Sequence, residues 1–197
     1  MKTKTRTLTL TAILVAITLL FGFTPIGYIQ TPFGIVITLM CLPVIVGTLT
    51  LGWKAGLSLA ALFALTSIAK IPTDVFGPTL LAYNPAMLMV NIIVPRLLIP
   101  FVVAFVYKAM RTQKEAVNIG VAAVAGSLTN TVLYLGFLYA FFSSVVAGSV
   151  ILSVALLNGI IEAVVAALLC APIVRALKKS VPALGSLTPL EKKKETT

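Results

Sequence analysis

From Tyr83 to Met110 the chain reads Tyr-Asn-Pro-Ala-Met-Leu-Met-Val-Asn-Ile-Ile-Val-Pro-Arg-Leu-Leu-Ile-Pro-Phe, followed by an apolar run to Tyr107 and Lys108. A stretch of that length crosses a bilayer as a tilted helix. Arg96 falls near its middle, where an unpaired charge costs about 3 kcal/mol on insertion scales. Arg96 therefore predicts a helix bundle with a polar interior, in which its guanidinium meets either a protein carboxylate or an anionic ligand.

The rest of the chain fits such a bundle. Hydrophobic residues make up 59%, charged residues 10%, and the mean hydropathy is +1.11, against about 25% charged residues in soluble domains. The expected class is an all-α integral membrane protein. Its 197 residues accommodate a bundle of six transmembrane helices, at about 20 residues each, and leave no room for a separate soluble domain. Residues 1–179 are read as that single membrane domain and 180–197 as a polar, disordered tail. Cys41 and Cys170 lie in apolar runs and read as small core hydrophobes, not as a disulfide. The basic, then apolar, N-terminus lacks a convincing cleavage site and is read as a retained first helix.

Prolines and glycines divide the apolar sequence. Helix 1 is expected from Leu8 to Phe23, ending at Thr24-Pro25. A shaped loop, Thr24 to Phe33, with Pro25, Gly27 and Pro32 follows. Helix 2 is expected from Gly34 to Leu51 with a kink at Pro43, then a turn at Gly52-Trp53-Lys54 in which Trp53 is an interfacial anchor. Helix 3 covers Ala55 to Ala69, and Lys70 to Tyr83 is a second loop. Helix 4 is the opening stretch, helix 5 runs from Ala116 to Phe142, and helix 6 from Ser149 to Leu177. In this arrangement Lys2, Lys4, Arg6, Lys54, Lys108, Arg111, Lys114, Arg175, Lys178, Lys179 and Lys192 to Lys194 share one side, and Lys70 is on the other. Basic residues mark the cytoplasmic side, so both termini are expected in the cytoplasm. Topology and anionic headgroups then account for the net charge of +10 without any nucleic acid.

The intramembrane polar residues gather at one depth. Counting inward at about 1.5 Å per residue puts Asn91, Arg96, Asn130, Asn158 and Glu162 about 10 to 20 Å from the external ends of their helices. Asn158 and Glu162 are four apart and share a helix face; Asn91 and Arg96 are five apart and share one if Pro95 distorts the helix. The plainer alternative is an Arg96–Glu162 ion pair with asparagines bonding across helices to hold the bundle together. Chemistry beyond binding has little to work with. The chain has no histidine, no acid or thiol cluster with metal spacing, no resident cofactor, and no phosphate-binding glycine loop with which to use ATP itself. It is therefore read as no enzyme. Energy for transport would come from a gradient or from a partner. In helix 1, Ala12 and Ala16 are four apart and would let another helix approach closely, either within the bundle or from a partner.

Taken together, the chain resembles the substrate-binding S components of energy-coupling factor (ECF) vitamin transporters. The resemblance rests on six helices with a short basic start, the Ala12/Ala16 pair, the Thr24-Pro25 and Gly27 loop, Gly126-Ser-Leu-Thr-Asn130, and Asn158-Gly-Ile-Ile-Glu162. It implies a prokaryotic, multi-pass plasma-membrane subunit that captures a vitamin near the external face, in a cavity of helices 4 to 6 capped by the loop after helix 1. It also implies that Ala12 and Ala16 dock on a transmembrane T component joined to two cytoplasmic ATPase subunits, which use the ATP. Among such proteins the chain looks most like the pantothenate type. One carboxylate, an amide and two hydroxyls suit Arg96, the amides of Asn91, Asn130 and Asn158, and an acceptor at Glu162, with Tyr28, Gln30 and Tyr83 as further contacts from the external loops. Folate, riboflavin, pyridoxine and hydroxymethylpyrimidine stay open as substrates. So do two other classes, a small homo-oligomeric secondary carrier and a purely structural membrane subunit.

Overall fold

Proline and glycine positions decide where each helix of this chain starts and stops. The computed structural model describes residues 2–30, 36–74, 76–110, 114–146 and 148–180, with backbone alone at 2–4, 26, 28–30, 36–37, 149–150, 152–157 and 180. Helix α1 (Lys2–Phe23) stops before Pro25, whose residues Pro25–Gly27 form one 3-10 turn into strand β1 (Tyr28–Gln30). Strand β2 (Val36–Thr38) pairs antiparallel with β1, Tyr28 opposite Thr38. Helix α2 (Cys41–Leu51) and helix α3 (Trp53–Lys70) meet at Gly52, whose φ of 95° is a left-handed turn that glycine adopts without a Cβ clash. A 3-10 turn (Ile71–Thr73) and the short helix α4 (Gly77–Tyr83) lead into α5 (Pro85–Ala109). At that junction Asn84 is extended, as a residue before proline prefers, Pro85 opens the helix, and the Asn84 side chain accepts from the Met87 N–H at 3.1 Å. Helices α6 (Glu115–Phe142) and α7 (Gly148–Ser180) complete the described chain. The tail expected at 180–197 lies, from residue 181 on, outside the described residues.

Three expectations about the first half need correcting. The second helix does not span Gly34 to Leu51: Gly34 lies outside the described residues, Val36–Thr38 is a strand, and α2 has only 11 residues. Pro43 makes no kink, because it sits in the first turn of α2, where its missing N–H removes no helical hydrogen bond. Likewise 70–83 is not all loop, since Gly77–Tyr83 is helical. Among the described residues five helices are long and apolar enough to cross a membrane, α1, α3, α5, α6 and part of α7, while α2 is not. A short helix and a strand are tolerable at membrane depth where protein covers them. Every residue from Cys41 to Thr50 is buried, and α2 touches α1, α3, α5, α6 and α7. It is the axial element of the bundle.

The packing comes in two apolar layers. One joins α1, α2 and α3 to the later half of α5 and α7 and the early half of α6, through Leu14, Ile45, Phe63, Ile99, Val103, Ile119 and Cys170. The other joins Ile71 and Leu80 to Leu88 and Ile92 of α5, Leu135 to Phe142 of α6, and Ile151 of α7. Along α6 and α7 the buried polar residues fall between the two, Ser127 to Thr131 and then Asn158 and Glu162; on α5 Arg96 does so as well, while Asn91 lies one turn earlier, between Leu88 and Ile92 of the second layer. At the far end of the first layer, Lys178 of α7 meets Glu115 of α6 at 2.8 Å and the Tyr107 hydroxyl of α5 at 2.9 Å. Lys54, Lys108, Lys114 and Lys179 lie at this basic end, opposite the strands.

Candidate functional site

Arg96 owes its position to the proline before it. Pro95 lacks the N–H that would bond the Asn91 carbonyl four residues back, so this oxygen is left without its helical donor. The Arg96 guanidinium takes it: Nη1 donates to Asn91 O at 3.4 Å and to Ile92 O at 2.7 Å. On another edge Nε donates to Ser67 Oγ of α3 at 3.3 Å, and that hydroxyl donates onward to the Phe63 carbonyl. Two aromatic rings flank the cation, Phe63 of α3 with its centroid at 5.0 Å and Tyr134 of α6 at 5.1 Å.

Glu162 does not pair with Arg96. Its Oε1 accepts from both the backbone N–H and the hydroxyl of Thr38, each at 2.8 Å, and its Oε2 accepts from Thr131 Oγ1 at 3.0 Å. The carboxylate of α7 thus ties the end of β2 to α6. The plainer alternative of an ion pair closing the polar layer is overturned by this geometry: the two charges are held by different groups.

The asparagines complete the layer. Asn91 is fully buried, yet neither its amide nitrogen nor its amide oxygen has a hydrogen-bond partner among the described residues, and the same holds for Asn130 Oδ1. Leaving a buried amide group unmatched costs about 1 to 3 kcal/mol each, so such atoms mark a place where a polar ligand can be bound. Asn158 is buried as well. The layer offers a cation held by rings and carbonyls, open amide donors and acceptors, and a carboxylate already bonded to two threonines. Such a set of groups can pair with the charge, the donors and the acceptors of a small polar anion.

The family model for the substrate-specific component of ECF transporters matches residues 6–174. The chain belongs to that family. It is also similar to the pantothenic acid transporter PanT of Lactococcus lactis subsp. cremoris (strain MG1363), with 31% identity over 194 residues that cover 91% of this chain and 97% of that protein. Family and relative are transporters, and with its long apolar helices this S component is a multi-pass membrane protein.

The remaining residues singled out in the sequence fall elsewhere in this S component. Tyr83 ends α4, is exposed, stacks edge-on against Phe142 at 5.8 Å and accepts from Ser144 Oγ at 3.2 Å; it stands apart from the polar layer. Tyr28 and Gln30 form β1, and their side chains lie outside what is described. Ala12 and Ala16 are exposed on α1, whose Leu10, Leu14 and Thr18 turn inward. Residues that sequence reasoning missed are Thr38, Ser67, Phe63 and Thr131. Thr131 adjoins Asn130 and could have been found from that neighbourhood. Ser67 and Thr38 carried no signal, because hydroxyls in apolar helices commonly bond their own backbone.

Proposed function

We propose that this S component captures pantothenate on the external side of the plasma membrane and delivers it for ATP-driven uptake through a T component and two cytoplasmic ATPase subunits. The observation that carries the reading is the pair of buried asparagines on the helices that hold Arg96 and Tyr134: both amide atoms of Asn91, and the amide oxygen of Asn130, lack a hydrogen-bond partner among the described residues. In the proposed complex Arg96 binds the carboxylate. Asn91, with both a donor and an acceptor available, pairs with the ligand amide, and Asn130 and Asn158 take hydroxyl groups. Glu162 accepts three hydrogen bonds from the protein and has capacity for about one more, from a ligand hydroxyl. Tyr28, Gln30 and Tyr83 sit on the elements that would cover the entrance. The relative's name, a pantothenic acid transporter, supports this choice of vitamin.

In the same reading α2 and the β1–β2 pair together make the sixth crossing, both termini are cytoplasmic, and the basic end faces the cytoplasm. Ala12 and Ala16 form the docking stripe for the T component. The test is mass spectrometry of the small molecule that co-purifies with the protein, followed by calorimetry with pantothenate. Tight binding of pantothenate is expected. Retention of folate, riboflavin, pyridoxine or hydroxymethylpyrimidine with no affinity for pantothenate would replace the substrate and keep the family.

A further inference from the structure

The rings around Arg96 point to a specificity device that rests on the reading above but concerns different residues. Phe63 is fully buried on α3 and Tyr134 half-buried on α6, and each presents its ring to the guanidinium carbon at about the same distance, 5.0 and 5.1 Å. A guanidinium is planar, with its donors around the edge and none on its faces. Aromatic faces therefore satisfy what no hydrogen bond can, while the edge is steered by Ser67, Ile92 and the Asn91 carbonyl released by Pro95. Glu162 meanwhile is engaged by Thr38 and Thr131. We infer that Phe63 and Tyr134 are positioning residues for Arg96: together with the Asn91 carbonyl that Pro95 leaves free they hold the cation in place on α5 and so set the preference of the site for a carboxylate over an uncharged group.

The inference separates discrimination from affinity. A ring that merely fills space would, when removed, weaken all ligands alike. A ring that orients the cation would, when removed, weaken the carboxylate ligand and leave an uncharged analogue nearly untouched. The experiment is calorimetry on the purified full chain with two probes, pantothenate and the alcohol in which CH2OH replaces its carboxylate. The wild-type protein is expected to prefer pantothenate. Tyr134→Leu is expected to cut that preference by about tenfold or more, the scale of one desolvated cation–π contact, and Tyr134→Phe, which keeps the ring, to restore it. Phe63→Leu should behave as Tyr134→Leu does; should its full burial make that variant unstable, the Tyr134 series stands by itself. Equal losses for both probes in Tyr134→Leu, or an unchanged preference, would overturn the inference while leaving pantothenate capture intact. A wild-type protein that binds neither probe would overturn the functional reading, and this inference with it.

Discussion

Arg96 and Glu162, the two charges of the bundle interior, are each satisfied without the other, and mutations should show it. Arg96→Ala removes a charge-assisted contact worth about 1.5 to 3 kcal/mol to a carboxylate, an expected loss of about 10- to 150-fold in pantothenate affinity. Because Glu162 bonds to Thr38 and Thr131 instead, no buried carboxylate is orphaned and the protein should remain folded. Unchanged affinity by calorimetry would refute the assignment; a collapse of thermal stability would point to a structural cation. At Glu162 the expectation reverses. Glu162→Leu strips the Thr38 N–H of its acceptor and should destabilise by about 1 to 3 kcal/mol, with faster amide exchange at Thr38, whereas Glu162→Gln keeps an acceptor and should lose much less. Equal exchange at Thr38 in the wild-type and leucine proteins would show that the strand is not held this way.

Among the elements, close helix approach matters more than helix propensity. A Cβ at Gly126 of α6 would press into Val103 of α5, a fully buried β-branched side chain that cannot swing away, whereas a Cβ at Gly120 meets nothing within 4 Å. Gly126→Ala is therefore expected to cost about 1 to 3 kcal/mol by overpacking, and Gly120→Ala to be neutral or slightly stabilising through helix propensity. Thermal denaturation in detergent checks the pair, and equal melting temperatures would contradict this account of the α5–α6 contact. Both glycines sit in one small-residue run that reads in sequence as generic helix packing. Only the facing side chains distinguish them.

For the molecule as a whole, α1 is the element that invites a partner. It buries Leu10, Leu14 and Thr18 and leaves Ala12 and Ala16 exposed beside Leu8, Leu20 and Phe23. Ala12→Trp and Ala16→Trp would place a large ring where a docking helix must reach backbone contact. Since neither alanine is buried against the bundle, the isolated variants should bind ligand normally. They should fail to co-purify with a T component and lose ATP-driven uptake. The contrasting class, a secondary carrier, predicts concentrative uptake into liposomes that hold this protein alone under a proton or sodium gradient without nucleotide. Robust uptake there would sink the coupled reading whatever the tryptophan variants do.

The division between what the chain declares and what folding adds follows from the range of the forces involved. Apolar runs about 20 residues long, punctuated by Pro25, Gly52 and Pro85, are local signals, so the long helices could be read directly, with Asn91, Arg96, Asn130, Asn158 and Glu162 as polar residues inside them. The second helix could not. Val36 to Met40 is as apolar as a helix would be, and only pairing with Tyr28 to Gln30 makes its first part a strand, while cover from five surrounding helices makes an 11-residue axial α2 tolerable. The partners of the two buried charges were hidden for the same reason. A carboxylate in an apolar sequence calls for donors without saying which. Thr38, 124 residues away from Glu162, becomes its donor because the strand pair delivers it to that depth, and Phe63 and Tyr134 reach Arg96 because α3 and α6 flank α5.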